Sequence, residues 1–230
     1  MIKCLNWRYK IIVQKESILT NMDAEEYCKG IKYLSRKDPK LRWIISNVKL
    51  KENRGRVANF EALAGVIIGQ QLSGAAADTI FSRLKNLSKS EVIEPAFILS
   101  LEDYKMREIG ISHAKINYIK MLAGHLIQTP DFLSELASLD TRQVIKKLTS
   151  VKGIGIWTAS IFSMFYLGNP NVFADADTSI LKAIRCIYGE KYVMCSDDLE
   201  KLKETWSPFQ TVACLLLWSW VDARMPEIEL

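Results

Sequence analysis

The sequence predicts an all-α fold, and three observations lead there. Phe60, Leu63, Ala64, Ile67, Ile68 and Gln71 fall at i, i+3, i+4, i+7, i+8 and i+11, one face of a helix. The same spacing returns in Ala76, Ile80, Leu84 and Leu87, and again in Val144, Ile145, Leu148 and Val151. No convincing two-residue alternation competes with it; residues 9–13 are the single candidate strand.

Breakers set the order of the elements. Gly55, Pro95, Gly110, Pro130, Gly153, Gly155, Gly168, Pro170, Gly189 and Pro208 divide the chain into about ten helical stretches. Stretches 23–36 and 40–48 precede a charged run over 49–56, which reads as a loop or a linker. Stretches 59–72 and 75–87 hold the apolar faces given above, and 101–109 and 113–127 follow the breakers at 95 and 110. Stretch 140–150 opens with Asp140 and Gln143, a capping-box pair. Stretch 156–167 follows the paired glycines, 178–188 starts behind Asp177, and 197–221 is interrupted near Pro208.

Composition excludes whole classes. With 49% hydrophobic and 25% charged residues, the 230-residue chain is globular rather than disordered or fibrous. Its length buries roughly 70% of the unfolded surface, so no staple is needed. Lys and Arg total 31 against 26 Asp and Glu, a net charge of +5 that permits an anionic partner without requiring one. The five cysteines, at 4, 28, 186, 195 and 214, form no C-x-x-C pair, which points to reduced thiols in a cytoplasmic protein and excludes a zinc or iron–sulfur cluster. Two histidines, His113 and His125, are too few for a His-rich metal site or a Ser-His-Asp triad. The N-terminus lacks the apolar stretch of a signal peptide. The apolar segment 154–167 falls short of the about 18 residues a membrane span needs, so a buried helix and no membrane partner are expected.

The most informative segment is Gly153-Ile154-Gly155-Ile156-Trp157-Thr158-Ala159. One helix ends, two glycines turn the chain, and a second helix begins with its free N–H groups pointing outward. Those amides, the helix dipole and the cation of Lys152 suit a phosphate. This is the form of a helix-hairpin-helix element, which grips a DNA backbone without reading sequence. By itself, a Gly-x-Gly corner is equally a packing device. Some twenty residues on, Asp177 opens a helix, where an aspartate also serves as a plain N-cap.

Together these features resemble the helix-hairpin-helix DNA glycosylase superfamily, and within it the 3-methyladenine DNA glycosylase II or AlkA-type enzymes. Beside the hairpin and Asp177-Thr178, two further stretches are similar to that family: Ile68-Gly69-Gln70-Gln71-Leu72-Ser73 with Ala76-Ala77, and Trp206-Ser207-Pro208 followed by Ala213 and Leu217-Trp218. The similarity covers about residues 21–220.

The resemblance implies a two-lobed all-α fold with a DNA-facing cleft. One lobe would span about 60–150; the other would join the N-terminal segment to about 151–230, with residues 1–230 forming one compact unit. It implies Asp177 as the catalytic carboxylate, which stabilises positive charge on the sugar as the C1′–N bond of a flipped nucleotide breaks. Trp157 and Trp218 would hold an electron-poor base. DNA would be met by the Gln70-Gln71-Leu72 turn with Ser73, by Lys152, Gly153, Gly155 and Thr158 of the hairpin, and by Lys115 at a second helix start. Either Gln71 or Leu72 would be the wedge that fills the vacated stack. Trp157 stands where bifunctional members carry a Schiff-base lysine, which implies a monofunctional enzyme. No cofactor is expected, apart from a structural monovalent cation on the main-chain carbonyls of Thr149, Val151 and Ile154. The expected partner is double-stranded DNA with damaged bases, met by a monomer.

The sequence departs from the family in three places. No N-terminal β-domain fits ahead of Phe60. A second carboxylate, Asp175, lies two residues before Asp177, where like charges repel. Gln210 stands where relatives often have arginine. Alternatives are a helix-hairpin-helix module that binds DNA without chemistry, and a glycosylase for another lesion.

Overall fold

The computed structural model describes residues 22, 24–50, 57–88 and 90–229. The candidate strand at 9–13 and most of the charged run at 49–56 lie outside them. In chain order the helices are α1 (Ala24–Lys37), α2 (Pro39–Asn47), α3 (Phe60–Gly69), α4 (Gly74–Ser88), α5 (Pro95–Ser100), α6 (Asp103–Glu108), α7 (His113–Gln128), α8 (Thr141–Thr149), α9 (Ile156–Phe165), α10 (Thr178–Tyr188), α11 (Lys191–Met194), α12 (Ser196–Trp206) and α13 (Gln210–Asp222). Two tight 3-10 turns, Pro130–Phe132 and Ser134–Ser138, link α7 to α8. No strand occurs among the described residues.

Local chemistry explains the helix ends. Asp140 accepts the Gln143 N–H at 2.8 Å and the Gln143 side chain accepts the Asp140 N–H at 3.1 Å, the expected capping box of α8. Asn59 and Ser112 cap α3 and α7 with their side-chain oxygens alone, without the reciprocal bond. Two expectations are corrected. Pro95 does not merely break the chain; it opens α5, because the first helical position has no use for an N–H. The expected helix over 101–109 is observed as α6, and α5 is an additional helix ahead of it, separated by the extended backbone of Leu101 and Glu102. The first apolar helix also stops at Gly69 rather than 72, where the backbone of Gln70 and Gln71 leaves helical geometry.

The buried side chains form two cores. The first draws on α3 to α9, from Phe60 and Leu63 through Ile116 and Leu148 to Val151, Ile154, Ala159 and Phe162. The second joins α1 and α2 to the end of α9, α10, α12 and α13, with Leu34, Ile44, Met164, Ile184, Trp206 and Leu216 at its centre. The division falls inside α9, between Phe162 and Met164, rather than near 151. The reason is that the hairpin loop turns Val151 and Ile154 inward against the first core.

The chain's early helices are tied to its late ones through Asp38. One carboxylate oxygen caps α2 at Lys40 and Leu41; the other accepts the Tyr188 hydroxyl at 2.7 Å and the Trp206 indole N–H at 2.9 Å. Burial, then the Asp38 charge, pushes the Tyr188 phenol well above its usual range, so it stays a donor. Asp38→Ala removes a cap and strands two buried donors, an expected loss of about 3 kcal/mol in urea unfolding.

Candidate active site and nucleic-acid interface

The corner between α8 and α9 is built from residues 150–155. The Val151 N–H donates to Leu148 O and the Ile154 N–H to Val151 O, each near 3 Å, which tightens the turn. Its two glycines do different work. Gly153 has φ +95, and a Cβ there would stand 2.3 to 2.6 Å from atoms of Tyr118 on α7. Gly155 has an ordinary φ, and a Cβ there would meet nothing within 4 Å. Its bareness serves no internal packing and leaves the outer face clear. Gly155 has no side chain with which to cap α9, so the amides of the first turn stay open beside the exposed Lys152. Ile156 adds an apolar side chain that is 57% exposed. The Thr149, Val151 and Ile154 carbonyls are neutral oxygen donors of the kind a monovalent cation takes. The Val151 carbonyl accepts the Ile154 N–H and keeps one lone pair.

A second exposed feature is the turn from α3 to α4. Leu72 N–H donates to Gly69 O at 3.1 Å, with Gln70 at φ −52, ψ 128 and Gln71 at φ +57. That is the pattern of a type II turn, whose third position normally belongs to glycine or asparagine. Gln71 adopts the left-handed conformation and is exposed, with Leu72 39% exposed next to it. Ser73 is exposed and its hydroxyl accepts from Ala76 N–H at the head of α4.

Asp177 is where three helices meet. As the N-cap of α10, its Oδ1 accepts the Ser179 and Ile180 N–H groups, both at 3.0 Å. The same oxygen accepts the Trp218 indole N–H from α13 at 3.2 Å, and Oδ2 accepts the Trp157 indole N–H from α9 at 3.0 Å. Capping role and site role therefore belong to one residue. Four neutral donors orient the carboxylate, and both indoles remain half-buried. The Trp218 ring lies 5.9 Å from Phe165, which backs it. Trp220, by contrast, is core, its N–H bound to Pro226 O. Behind Asp177 the Cys214 thiol is completely buried. Burial first, and the nearby Asp177 charge in lesser degree, push it far above its ordinary range.

The sequence's departures at Asp175 and Gln210 converge on one residue that sequence reasoning passed over. Lys203 of α12, with only 8% of its surface exposed, gives its ammonium to Asp175 at 2.6 Å and to Glu200 at 2.6 Å. It also lies 5.3 Å from the Phe173 ring centre. The Gln210 amide donates to the Lys203 carbonyl at 3.0 Å. Asp175 thus has its own counter-charge. An ordinary lysine in a charged helix gives no sequence signal of this.

Three residues expected to reach DNA make hydrogen bonds within the protein. The Gln70 side chain donates to Gly153 O at 3.1 Å and to Thr158 Oγ1 at 2.8 Å; Thr158 is itself buried. Lys115 donates to Ile68 O at 2.8 Å and Gln70 O at 2.7 Å, capping the end of α3. Burial holds its ammonium below the usual lysine range.

A family model for HhH-GPD superfamily base excision DNA repair proteins matches residues 64–208, from α3 through the hairpin and Asp177 to Pro208. The chain belongs to this superfamily. As an HhH-GPD protein it is 29% identical, over 213 residues, to DNA-3-methyladenine glycosylase 1 of Schizosaccharomyces pombe, covering 90% of this chain and 91% of that one. Among solved structures, the S. pombe 3-methyladenine DNA glycosylase Mag1 in complex with abasic DNA superposes with a TM-score of 0.74 at 27% identity, over 86% of this chain and 99% of that one. A DNA-3-methyladenine glycosidase from Bacillus halodurans gives 0.67 at 30% identity, over 85% and 90%. The all-helical HhH-GPD architecture expected from the resemblance is the one observed.

The contrast between the two hairpin glycines is testable. Gly153→Ala forces a left-handed alanine into the Tyr118 ring and is expected to lower stability by at least about 2 kcal/mol. Gly155→Ala is expected to cost less than about 1 kcal/mol yet weaken duplex binding roughly tenfold, because its methyl group occupies the approach to the α9 amides. Thermal unfolding and a fluorescence-anisotropy titration of each variant separate the two.

Proposed function

We propose that the chain is a monofunctional DNA glycosylase that hydrolyses the N-glycosidic bond of alkylated purines in duplex DNA, the first step of base excision repair. The observation that supports this most directly is the Asp177 carboxylate, held by two indole N–H groups, one of them from the first turn of α9. The names borne by the relatives favour 3-methyladenine, and 7-methylguanine is a lesion of the same cationic type.

In this reading the hairpin amides and Lys152 take a phosphate. The carbonyls of Thr149, Val151 and Ile154 are the groups that would hold a monovalent cation, which when bound adds positive charge for the same phosphate. Gln71 is the wedge, because it stands at the tip of the exposed turn, with Leu72 flanking it. The flipped nucleotide enters between Trp157 and Trp218, whose π faces favour a cationic base. The C1′–N bond then breaks with its electron pair passing to the purine, which leaves neutral. Asp177 stabilises the cationic sugar, and a water oxygen bonds to C1′ as its proton is lost to the carboxylate or solvent. Trp157 has no amine, so no Schiff base forms and the abasic strand stays intact.

Base release from duplex DNA carrying alkylated purines, with and without alkali, tests this. Wild type is expected to release base and to need alkali for strand cleavage. Asp177→Asn is expected to lose at least about 100-fold in rate while keeping its affinity for DNA. Nicking without alkali would make the protein a lyase. Salt-sensitive binding with no release from any substrate would make it a DNA-binding module.

A further inference from the structure

We propose that Gln70 and Lys115 are positioning residues that lock the wedge turn to the hairpin, so that gripping the backbone and entering the base stack become one rigid movement. The proposal rests on the reading of Gln71 as the wedge.

The turn alone is poorly suited to push. Gln71 holds a left-handed backbone without being glycine, a conformation that costs about 1 kcal/mol and relaxes unless the surroundings enforce it. The enforcement comes from below. The Lys115 ammonium, at the start of α7, binds Ile68 O and Gln70 O, the carbonyls on the two sides of the last α3 residue. Among the described residues no carboxylate pairs with Lys115, so its charge acts on these carbonyls. An amide has two N–H donors. Gln70 gives its own to Gly153 O in the hairpin loop and to Thr158 Oγ1, the residue after Trp157.

A continuous set of bonds therefore runs from α7 through the wedge turn to the hairpin and on to the helix that bears Trp157, whose indole holds Asp177. The links span 45 to 88 residues of sequence, so no local turn preference supplies them. Opening a base stack costs a few kcal/mol. A wedge on a loose turn would yield to the stack. One bolted to the phosphate-gripping loop turns binding into distortion of the duplex.

The test uses a duplex with 2-aminopurine beside the target nucleotide, whose fluorescence rises on unstacking, while anisotropy gives the affinity. Gln71→Ala sets the signal for a missing wedge. Gln70→Ala and Lys115→Met are expected to lose most of the wild-type rise with less than about a threefold change in Kd, and Lys115→Arg to retain it. Base release by both variants should fall about tenfold or more on a paired lesion and recover on a mispaired one, where unstacking is cheaper. A misfolded variant would not recover. A full fluorescence rise in Gln70→Ala and Lys115→Met, or a lost rise matched by equal loss of affinity, would overturn the proposal. If Gln71→Ala itself kept the full rise, the wedge reading would fall and the brace with it; if only the brace variants kept it, the brace alone would fall.

Discussion

The carboxylate of Asp177 is the point on which the arrangement depends. It ends no helix and starts only one, yet α9, α10 and α13 all donate to it. The three helices follow one another in the last third of the chain, with α11 and α12 between the second and third. Two of the donors are backbone amides that any capping residue would satisfy. The two indoles are not, and they give the anion a fixed orientation that a cap alone does not need. Remove the carboxylate and α10 loses its N-terminal partner at the moment two half-buried N–H groups lose theirs. The same residue is thus constrained by folding and by chemistry.

Around that point the fold is divided unequally. The first core presents surfaces to the outside, namely the hairpin loop and the α3–α4 turn. The second core supplies the carboxylate and Trp218. α9 belongs to both, with its open amino end at the surface and its later residues in the second core. Its first turn carries Trp157, so the helix proposed to meet a phosphate also meets the carboxylate. Distances between grip and chemistry are then set by one rigid element rather than by a hinge.

Much of this was legible in the sequence, for physical reasons that differ by residue. Helical spacing reveals α3, α4 and α8 because one buried face repeats every three or four residues. The paired glycines reveal the hairpin because backbone conformation at φ +95 and a bare helix start select for them. Asp177 is legible as a cap from position alone, and as more than a cap only through the family's motif. What stays hidden depends on contacts across the fold. Whether Gln70, Thr158 and Lys115 face solvent or each other is decided by the packing of α3 against α7 and α9, and no local pattern encodes it. Lys203 is hidden for the same reason: its partner Asp175 lies 28 residues away. Pro95 misleads because proline both ends helices and begins them.

The buried thiol of Cys214 has a consequence for the chemistry in which such a protein works. Electrophiles that methylate purines also methylate thiols, and it is the thiolate that reacts. A sulfur near the carboxylate proposed as catalytic would ordinarily be a weak point, since one transferred methyl group would distort the site. Cys214 is sealed from solvent and kept protonated, in part by the very charge of Asp177. Cys28, Cys186 and Cys195 are exposed, so the accessible thiols lie at the surface instead. The centre proposed to remove alkylation damage is in this way insulated from self-alkylation.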